Sequence, residues 1–111
     1  MAELELDAWQ REVDAWVRGH GGYFPPLAQV ARLTEETGEV ARAAMERWGG
    51  KTPRPGRDPA DLGSELGDLL LVAACLATQG EVSLADAARR ALSKARGRDS
   101  GRFEDLGGTE N

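Results

Sequence analysis

The stretch SELGDLLLVAACLATQ, Ser64 to Gln79, decides the fold. Its later half, from Leu69 to Ala77, is apolar on all sides when it is placed on a helix. A helix without a polar side has to be buried. We therefore expect this helix to pack both against its own chain and against a partner chain, which predicts an oligomer.

The rest of the sequence predicts an all-α fold, a bundle of four to five helices completed by oligomerisation. Apolar residues recur every three or four positions, and prolines and glycines separate the segments. The predicted helices span residues 4–18, 25–48, 59–79 and 83–97. Asp58 is the expected N-cap of the third helix, and Ser83 with Asp86 resembles a capping box at the start of the fourth.

One broad face of the second helix is predicted to point inward. At 100° per residue it comprises Leu27, Val30, Ala31, Thr34, Gly38, Ala41, Met45 and Trp48. The small residues Ala31, Gly38 and Ala41 would let another helix approach closely.

Length and composition indicate one soluble domain. The chain has 111 residues, of which 41% are hydrophobic and 30% charged, an ordinary balance for a globular protein. We expect a single all-α domain over residues 1–104 and a flexible tail over 105–111. The net charge of -5 argues against nucleic-acid binding. No apolar run approaches about 20 residues and no signal peptide is evident, so we expect a cytoplasmic protein without membrane contact.

Two pairs of acidic residues stand out. In LTEETGEV, Leu33 to Val40, Glu36 and Glu39 are three positions apart, and Glu65 and Asp68 repeat this spacing in the third helix. Residues three apart lie on the same side of a helix, one turn apart. The first pair alone is typical of a solvated helix face. The second pair continues the line of a face that must be buried, where unpaired charges are costly, so a compensating cation is expected.

This cation is either a basic side chain or a bound metal ion. Four carboxylates exceed what one arginine neutralises, and all-oxygen ligation suits Mg²⁺, with Mn²⁺ as a substitute. The lone cysteine, Cys75, is expected to be inert core, and the lone histidine, His20, receives no role. Magnesium held by a few carboxylates leaves positions for phosphates, which predicts a phosphorylated substrate. The basic stretch from Arg89 to Arg102 is then either a solvated helix end or a phosphate-binding segment.

These motifs resemble those of the MazG-like nucleoside triphosphate pyrophosphohydrolases, in particular the short, single-domain bacterial type. The family pattern is Glu-Glu-x-x-Glu on one helix and Glu-x-x-Asp on the next. It matches Glu35 to Glu39 and Glu65 to Asp68 here. The resemblance implies Mg²⁺-dependent cleavage between the α- and β-phosphates of a nucleoside triphosphate, giving a monophosphate and pyrophosphate. It also implies a homo-oligomer, either a dimer or a dimer of dimers.

The resemblance assigns roles to individual residues. The implied metal ligands are Glu36, Glu39, Glu65 and Asp68, and Glu35 would orient or deprotonate the attacking water. The implied phosphate-binding residues are Lys94, Arg98 and Arg102. Trp16, Phe24 and Trp48 are candidates for stacking on the base, with core packing as the favoured alternative for each.

Two other functions remain open at this point. A metal-dependent nucleotide-binding or regulatory module would keep the site but catalyse little, and a plain dimerisation bundle would leave its acids solvated. The loop KTPRPGRDP, Lys51 to Pro59, carries cations that could meet phosphates as a lid. We interpret it as a solvated linker in preference to a lid.

Overall fold

The computed structural model describes residues 5–105, with side chains as far as Arg98. The described residues form four helices and no strand, which confirms the predicted all-α class. The helices are α1 (Leu6–Arg18), α2 (Pro26–Arg47), α3 (Leu62–Gln79) and α4 (Leu84–Asp105).

The start of α3 differs from the prediction. Its N-cap is Asp61, whose Oδ1 accepts a hydrogen bond from the backbone N–H of Ser64 at 3.2 Å. The predicted cap at Asp58 is wrong because the chain before Asp61 is tied to α2 instead. The backbone N–H of Ala60 donates to Oε1 of Glu46 at 2.8 Å, so it is engaged outside α3.

Helix α4 begins as predicted, because Oγ of Ser83 accepts from the backbone N–H of Asp86 at 3.1 Å. The predicted end near Gly97 is wrong, since the helix continues to Asp105. A glycine inside a helix costs about 1 kcal/mol relative to alanine and does not by itself end the helix. The flexible tail expected over 105–111 lies outside the described residues from position 106 onward.

Helix α3 is the centre of the molecule. In the described part of the chain it contacts α1, α2 and α4, whereas α2 contacts neither α1 nor α4. The core cluster consists of Val13, Ala74 and Cys75, with partly buried residues of α1, α3, the α1–α2 loop and the start of α4 packed around it. Burial raises the pKa of the Cys75 thiol, which keeps it protonated as expected for a core cysteine.

By length and composition, α3 is also apolar enough to cross a membrane, with a mean hydropathy of 1.2 over 18 residues. Only 22% of this window is buried within the chain. The central helix of a soluble protein meets the same criteria, so this observation is weak. The expected lack of membrane contact stays a prediction.

The predicted inner face of α2 is wrong for the single chain. Leu27 is 83% exposed and Trp48 71% exposed, and Val30 and Met45 also face outward. The buried residues of α2 are Gln29 and Ala43. A helical wheel ranks faces by apolarity, but α3 packs on the neighbouring face, which carries Glu36. The small residues do not support a close approach within the chain either, since nothing lies within 4 Å of a Cβ placed on Gly38.

Gln10 of α1 joins three parts of the fold from a buried position. Its Nε2 donates to Oγ1 of Thr78 at 3.1 Å and to the carbonyl oxygen of Val82 at 2.9 Å. Its Oε1 accepts from the backbone N–H of Leu84 at 2.8 Å, in the first turn of α4. This one side chain thereby fixes the turn between α3 and α4 against α1.

Replacing Gln10 by alanine should lower the free energy of unfolding by about 1–3 kcal/mol, because it leaves partly buried backbone groups of Val82 and Leu84 without their partner. Urea denaturation at a fixed protein concentration measures this. The control Arg11→Ala changes an exposed residue of the same helix and should stay within about 0.5 kcal/mol of the wild type. An equally small effect for Gln10→Ala would contradict the assigned role.

Candidate functional site

The two acidic pairs meet where α2 packs on α3. Glu36, Glu65 and Asp68 each offer one carboxylate oxygen, and these three oxygens lie within 4.8 Å of one another. Glu36 and Glu65 are partly buried and Asp68 is exposed. Three carboxylates from two helices therefore point at one small volume that is open to solvent on one side.

The electrostatics of this group favour a cation. Loss of solvent raises the pKa of Glu65, and the negative charges of Glu39, Asp68 and Glu36 raise it further. All four predicted ligands thus belong to one electrostatic group centred on Glu65. Their mutual repulsion is a cost that a positive ion between them would remove.

Glu39 lies at the edge of the group and is turned toward a basic neighbour. Its Oε2 accepts a hydrogen bond from Nη2 of Arg42 at 2.8 Å, and this hydrogen bond is the main cause of its lowered pKa. Arg42 also donates to Glu46 at 3.2 Å. Glu35 is exposed and is not part of the group. It lies about 100° from Glu36 around the helix axis.

The donor set fits a hard divalent cation. The three grouped ligands are all carboxylates, without histidine or cysteine. Oxygen donors of this kind suit Mg²⁺ and Mn²⁺ and do not suit a structural zinc site. Three carboxylates leave coordination positions for water and phosphate oxygens.

A cavity of about 240 Å³ lies between α1, α2 and α3, and Arg32 in its lining precedes Glu36 on α2 by about one helical turn. Trp16 and Phe24, two of the predicted base-stacking residues, both line it. They are 61% and 56% exposed, so the core-packing alternative is wrong for both. Trp48 does not line this cavity and is also exposed at the far end of α2, so core packing is wrong for it as well.

The cavity contains residues to which the sequence assigned no site role. Its lining includes His20, Tyr23, Gln29, Arg32 and Cys75. The His20 ring stacks on Trp16 with centroids 4.6 Å apart. Its Nδ1 lies 2.7 Å from the carbonyl oxygen of Trp16. Because a carbonyl only accepts hydrogen bonds, Nδ1 donates in this contact.

Arg32 and Tyr23 shape the walls of the cavity. The Arg32 guanidinium lies 5.2 Å from the centroid of the Phe24 ring. The Tyr23 hydroxyl donates to Oδ1 of Asp14 at 2.6 Å, and burial followed by this bond raises the pKa of Tyr23 to about 12. Arg32 had a usable sequence signal, since it precedes Glu36 by one helical turn. No sequence signal pointed to the Gly-flanked His20, because its place in the cavity depends on how the loop between α1 and α2 folds back.

The predicted phosphate-binding residues lie on α4. Lys94 and Arg98 are exposed there, and Arg102 lies beyond the residues whose side chains the structure describes. Within the described part of the chain, α4 contacts α1 and α3 but not α2. Packing within one chain therefore does not support a role at the phosphates, and these assignments stay a prediction.

The sequence matches the family model of the MazG nucleotide pyrophosphohydrolase domain over residues 24–103. The chain belongs to this MazG family. Its matched range contains both acidic pairs, all of α2 and α3, and α4 up to residue 103. The membership supports a hydrolase that acts on nucleotide pyrophosphate bonds, and it confirms the resemblance inferred from the motifs.

Individual MazG relatives agree in sequence and in fold. The chain is 39% identical to the uncharacterized protein YpjD of Bacillus subtilis strain 168 over 104 residues, 93% of this chain and 94% of YpjD. It superposes on the crystal structure of the Bacillus subtilis protein YPJD, to which a pyrophosphatase activity is attributed. There the TM-score is 0.73 at 40% identity, covering 85% of this chain and 97% of that one. A MazG protein conserved in Bacillus, a nucleotide pyrophosphohydrolase, gives a TM-score of 0.72 at 36% identity, covering 89% and 97%.

Proposed function

We propose that this MazG protein is a magnesium-dependent nucleoside triphosphate pyrophosphohydrolase. It adds water across the bond between the α- and β-phosphates of a ribo- or deoxyribonucleotide and releases the monophosphate and pyrophosphate. Such an activity would remove non-standard or surplus nucleotides. The observation that carries the proposal is the convergence of Glu36, Glu65 and Asp68 between α2 and α3.

The carboxylates would hold one or more Mg²⁺ ions, with Mn²⁺ as a substitute. When bound, such an ion neutralises charge on phosphate oxygens and makes a bound water more acidic. The repulsion around Glu65 provides the negative potential that attracts the ion. Glu39 would complete the ligand set by turning from Arg42 toward Glu65. Glu35 remains our candidate for orienting or deprotonating the attacking water.

The aromatic cavity would bind the base. Trp16 and Phe24 present exposed ring surface to it, and stacking on such surface is tolerant of base identity. Arg32 reaches this cavity from a position one turn before Glu36 on α2. One turn of helix rises about 5.4 Å, so a nucleotide with its base in the cavity can bring its phosphates to the acids.

The exposed apolar residues support a homo-oligomer, either a dimer or a dimer of dimers. The outward face of α2 carries Val30 and Met45, and α3 exposes Leu66 and Leu70. The radius of gyration of the single chain is 17.6 Å, whereas a compact domain of this length has about 13 Å. A partner chain packed on these faces would bury them and complete the bundle.

The catalytic proposal is tested with the purified protein, Mg²⁺ and a panel of ribo- and deoxyribonucleoside triphosphates. We expect release of pyrophosphate and monophosphate, stopped by a metal chelator. Glu65→Gln should lower turnover by more than about 100-fold, since even the loss of groups that only support metal ligands costs 10–100-fold. It should not lower the melting temperature in metal-free buffer, because it removes a repelled charge. Glu5→Gln, at an exposed position before α1, has the same charge change and should keep full activity.

The same experiment separates the alternatives. Metal-dependent nucleotide binding without product would indicate a binding or regulatory module. A melting temperature unchanged by Mg²⁺ and every nucleotide would indicate a plain helical bundle, because a ligand that binds only the native state raises its stability. Either result would overturn the proposed hydrolysis.

The oligomer is tested by analytical ultracentrifugation. The wild type should sediment as a dimer or tetramer of the 11.9 kDa chain. Val30→Asp places a charge on the exposed face of α2 and should shift the protein toward the monomer. Val82→Asp places the same charge at an exposed position in the turn before α4 and should leave the assembly unchanged. A monomeric wild type would contradict the proposal.

A further inference from the structure

A second cavity, of about 310 Å³, lies on the other side of the acids from the aromatic one. It is lined by Glu39, Arg42, Glu46, Lys51, Thr52, Arg54 and Arg57. Four of these residues are cationic and two are anionic, so the lining carries a net charge of +2 in a chain whose net charge is -5. Most of this positive charge comes from the loop between α2 and α3.

The loop has a defined shape. The backbone N–H groups of Gly50 and Lys51 donate to the carbonyl oxygen of Met45 at 2.7 and 3.2 Å, and the N–H of Ala60 donates to Glu46. The loop is thus attached to α2 at both ends.

A tight turn in the middle of the loop brings two arginines together. The N–H of Arg57 donates to the carbonyl oxygen of Arg54 at 3.1 Å. Pro55 and Gly56 stand between them, with φ of Gly56 at 80°. Proline followed by a glycine at positive φ is the pattern of a type II turn.

One cation, Arg42, pairs with both acidic residues that line the cavity. Glu39 and Glu46 both pair with Arg42, at 2.8 and 3.2 Å, and the Glu46 side chain is only 3% exposed. Lys51, Arg54 and Arg57 form no ion pair within 4.0 Å in the part of the chain whose side chains are described. The hydrogen bond from Arg42 is the main cause of the lowered pKa of Glu39, and Arg57 and Arg54 lower it further without forming an ion pair. The lining keeps a net charge of +2, which favours binding of an external anion.

The cavity lies next to the acids along α2. Glu39 lines it and also belongs to the electrostatic group around Glu65. Arg32 lines the aromatic cavity, and Arg42 lines the basic one ten residues later, a rise of roughly 15 Å along the helix. The aromatic cavity, the acids and the basic cavity therefore follow one another along α2. A nucleoside triphosphate has its base, its α-phosphate and its terminal phosphates in the same order.

We propose that Lys51, Arg54 and Arg57 bind the β- and γ-phosphates of the substrate, which leave as pyrophosphate. This inference rests on the proposed function. Arginine suits the task because its guanidinium binds phosphate oxygens through paired hydrogen bonds. The charge on the pyrophosphate grows as the bond to the α-phosphate breaks, so the same cations would stabilise the leaving group. They would also give the triphosphate preference over the monophosphate product.

Inorganic pyrophosphate is a suitable probe, because it needs neither a base nor turnover. With Mg²⁺ present, isothermal titration calorimetry should show that the double variant Arg54→Gln, Arg57→Gln binds pyrophosphate at least about tenfold more weakly than the wild type. Its KM for the nucleoside triphosphates hydrolysed in the panel should rise, while inhibition by their monophosphates stays unchanged. Arg54→Lys with Arg57→Lys keeps the charges but loses the paired hydrogen bonds, so its affinity should lie between those of the double glutamine variant and the wild type. The control Arg11→Gln removes an exposed cation of α1 and should bind like the wild type.

The outcomes separate this inference from the proposed function. If the wild type releases pyrophosphate from a nucleotide but the double variant keeps its affinity for pyrophosphate and its KM, the loop assignment is refuted and the proposed activity is supported. If no nucleotide is hydrolysed but pyrophosphate binding depends on Arg54 and Arg57, the proposed activity is refuted and the anion site is supported. A wild type that does not bind pyrophosphate with Mg²⁺ would also overturn the assignment.

Discussion

The packing of α2 on α3 holds carboxylates of Glu36, Glu65 and Asp68 against one another, and the rest of the structure follows from this contact. Loss of solvent, followed by the nearby like charges, raises the pKa of Glu65 and costs stability. A divalent cation between the three carboxylates would remove this cost, which is why we propose a metal site there. Because α3 is also the helix that α1 and α4 contact, the same element carries the site and organises the fold. The face of α2 turned toward α3 is accordingly its acidic one, and the more apolar face is left outside.

Three chemically different regions follow one another along α2. Exposed aromatic rings line the cavity near the start of α2, and carboxylates lie near its middle. Near its end, cations of the following loop line the second cavity. Each part suits one portion of a nucleoside triphosphate, and the spacing follows from the rise of a single helix. Arg42 separates the two charged parts by pairing with Glu39 and Glu46. This arrangement places the cations to which we assign phosphate binding close to the acids within one chain, whereas α4 does not contact α2.

Local patterns in the sequence predicted the parts of the molecule that depend on one helix at a time. Helix geometry puts Glu36 and Glu39 on one side of a helix, and likewise Glu65 and Asp68. The two pairs and the all-α class could therefore be predicted from the sequence. The inner face of α2 could not be predicted, because a helical wheel does not show whether the same chain or a partner chain covers an apolar face. The cap at Asp61 was missed because it depends on the attachment of Ala60 to Glu46. The exposure of Trp16 and Phe24 and the grouping of Arg54 with Arg57 depend on how loops fold back, which periodicity does not encode.

The most direct test of the central claim is a crystal structure of the protein with Mn²⁺ and an α,β-methylene nucleoside triphosphate, which resists cleavage. Manganese is located by its anomalous scattering. We predict a manganese peak bound by carboxylate oxygens of Glu36, Glu65 and Asp68, with the base beside Trp16 and Phe24 and the terminal phosphates beside Arg54 and Arg57. Manganese bound elsewhere, or these three carboxylates still grouped without an ion at saturating metal and nucleotide, would contradict the account.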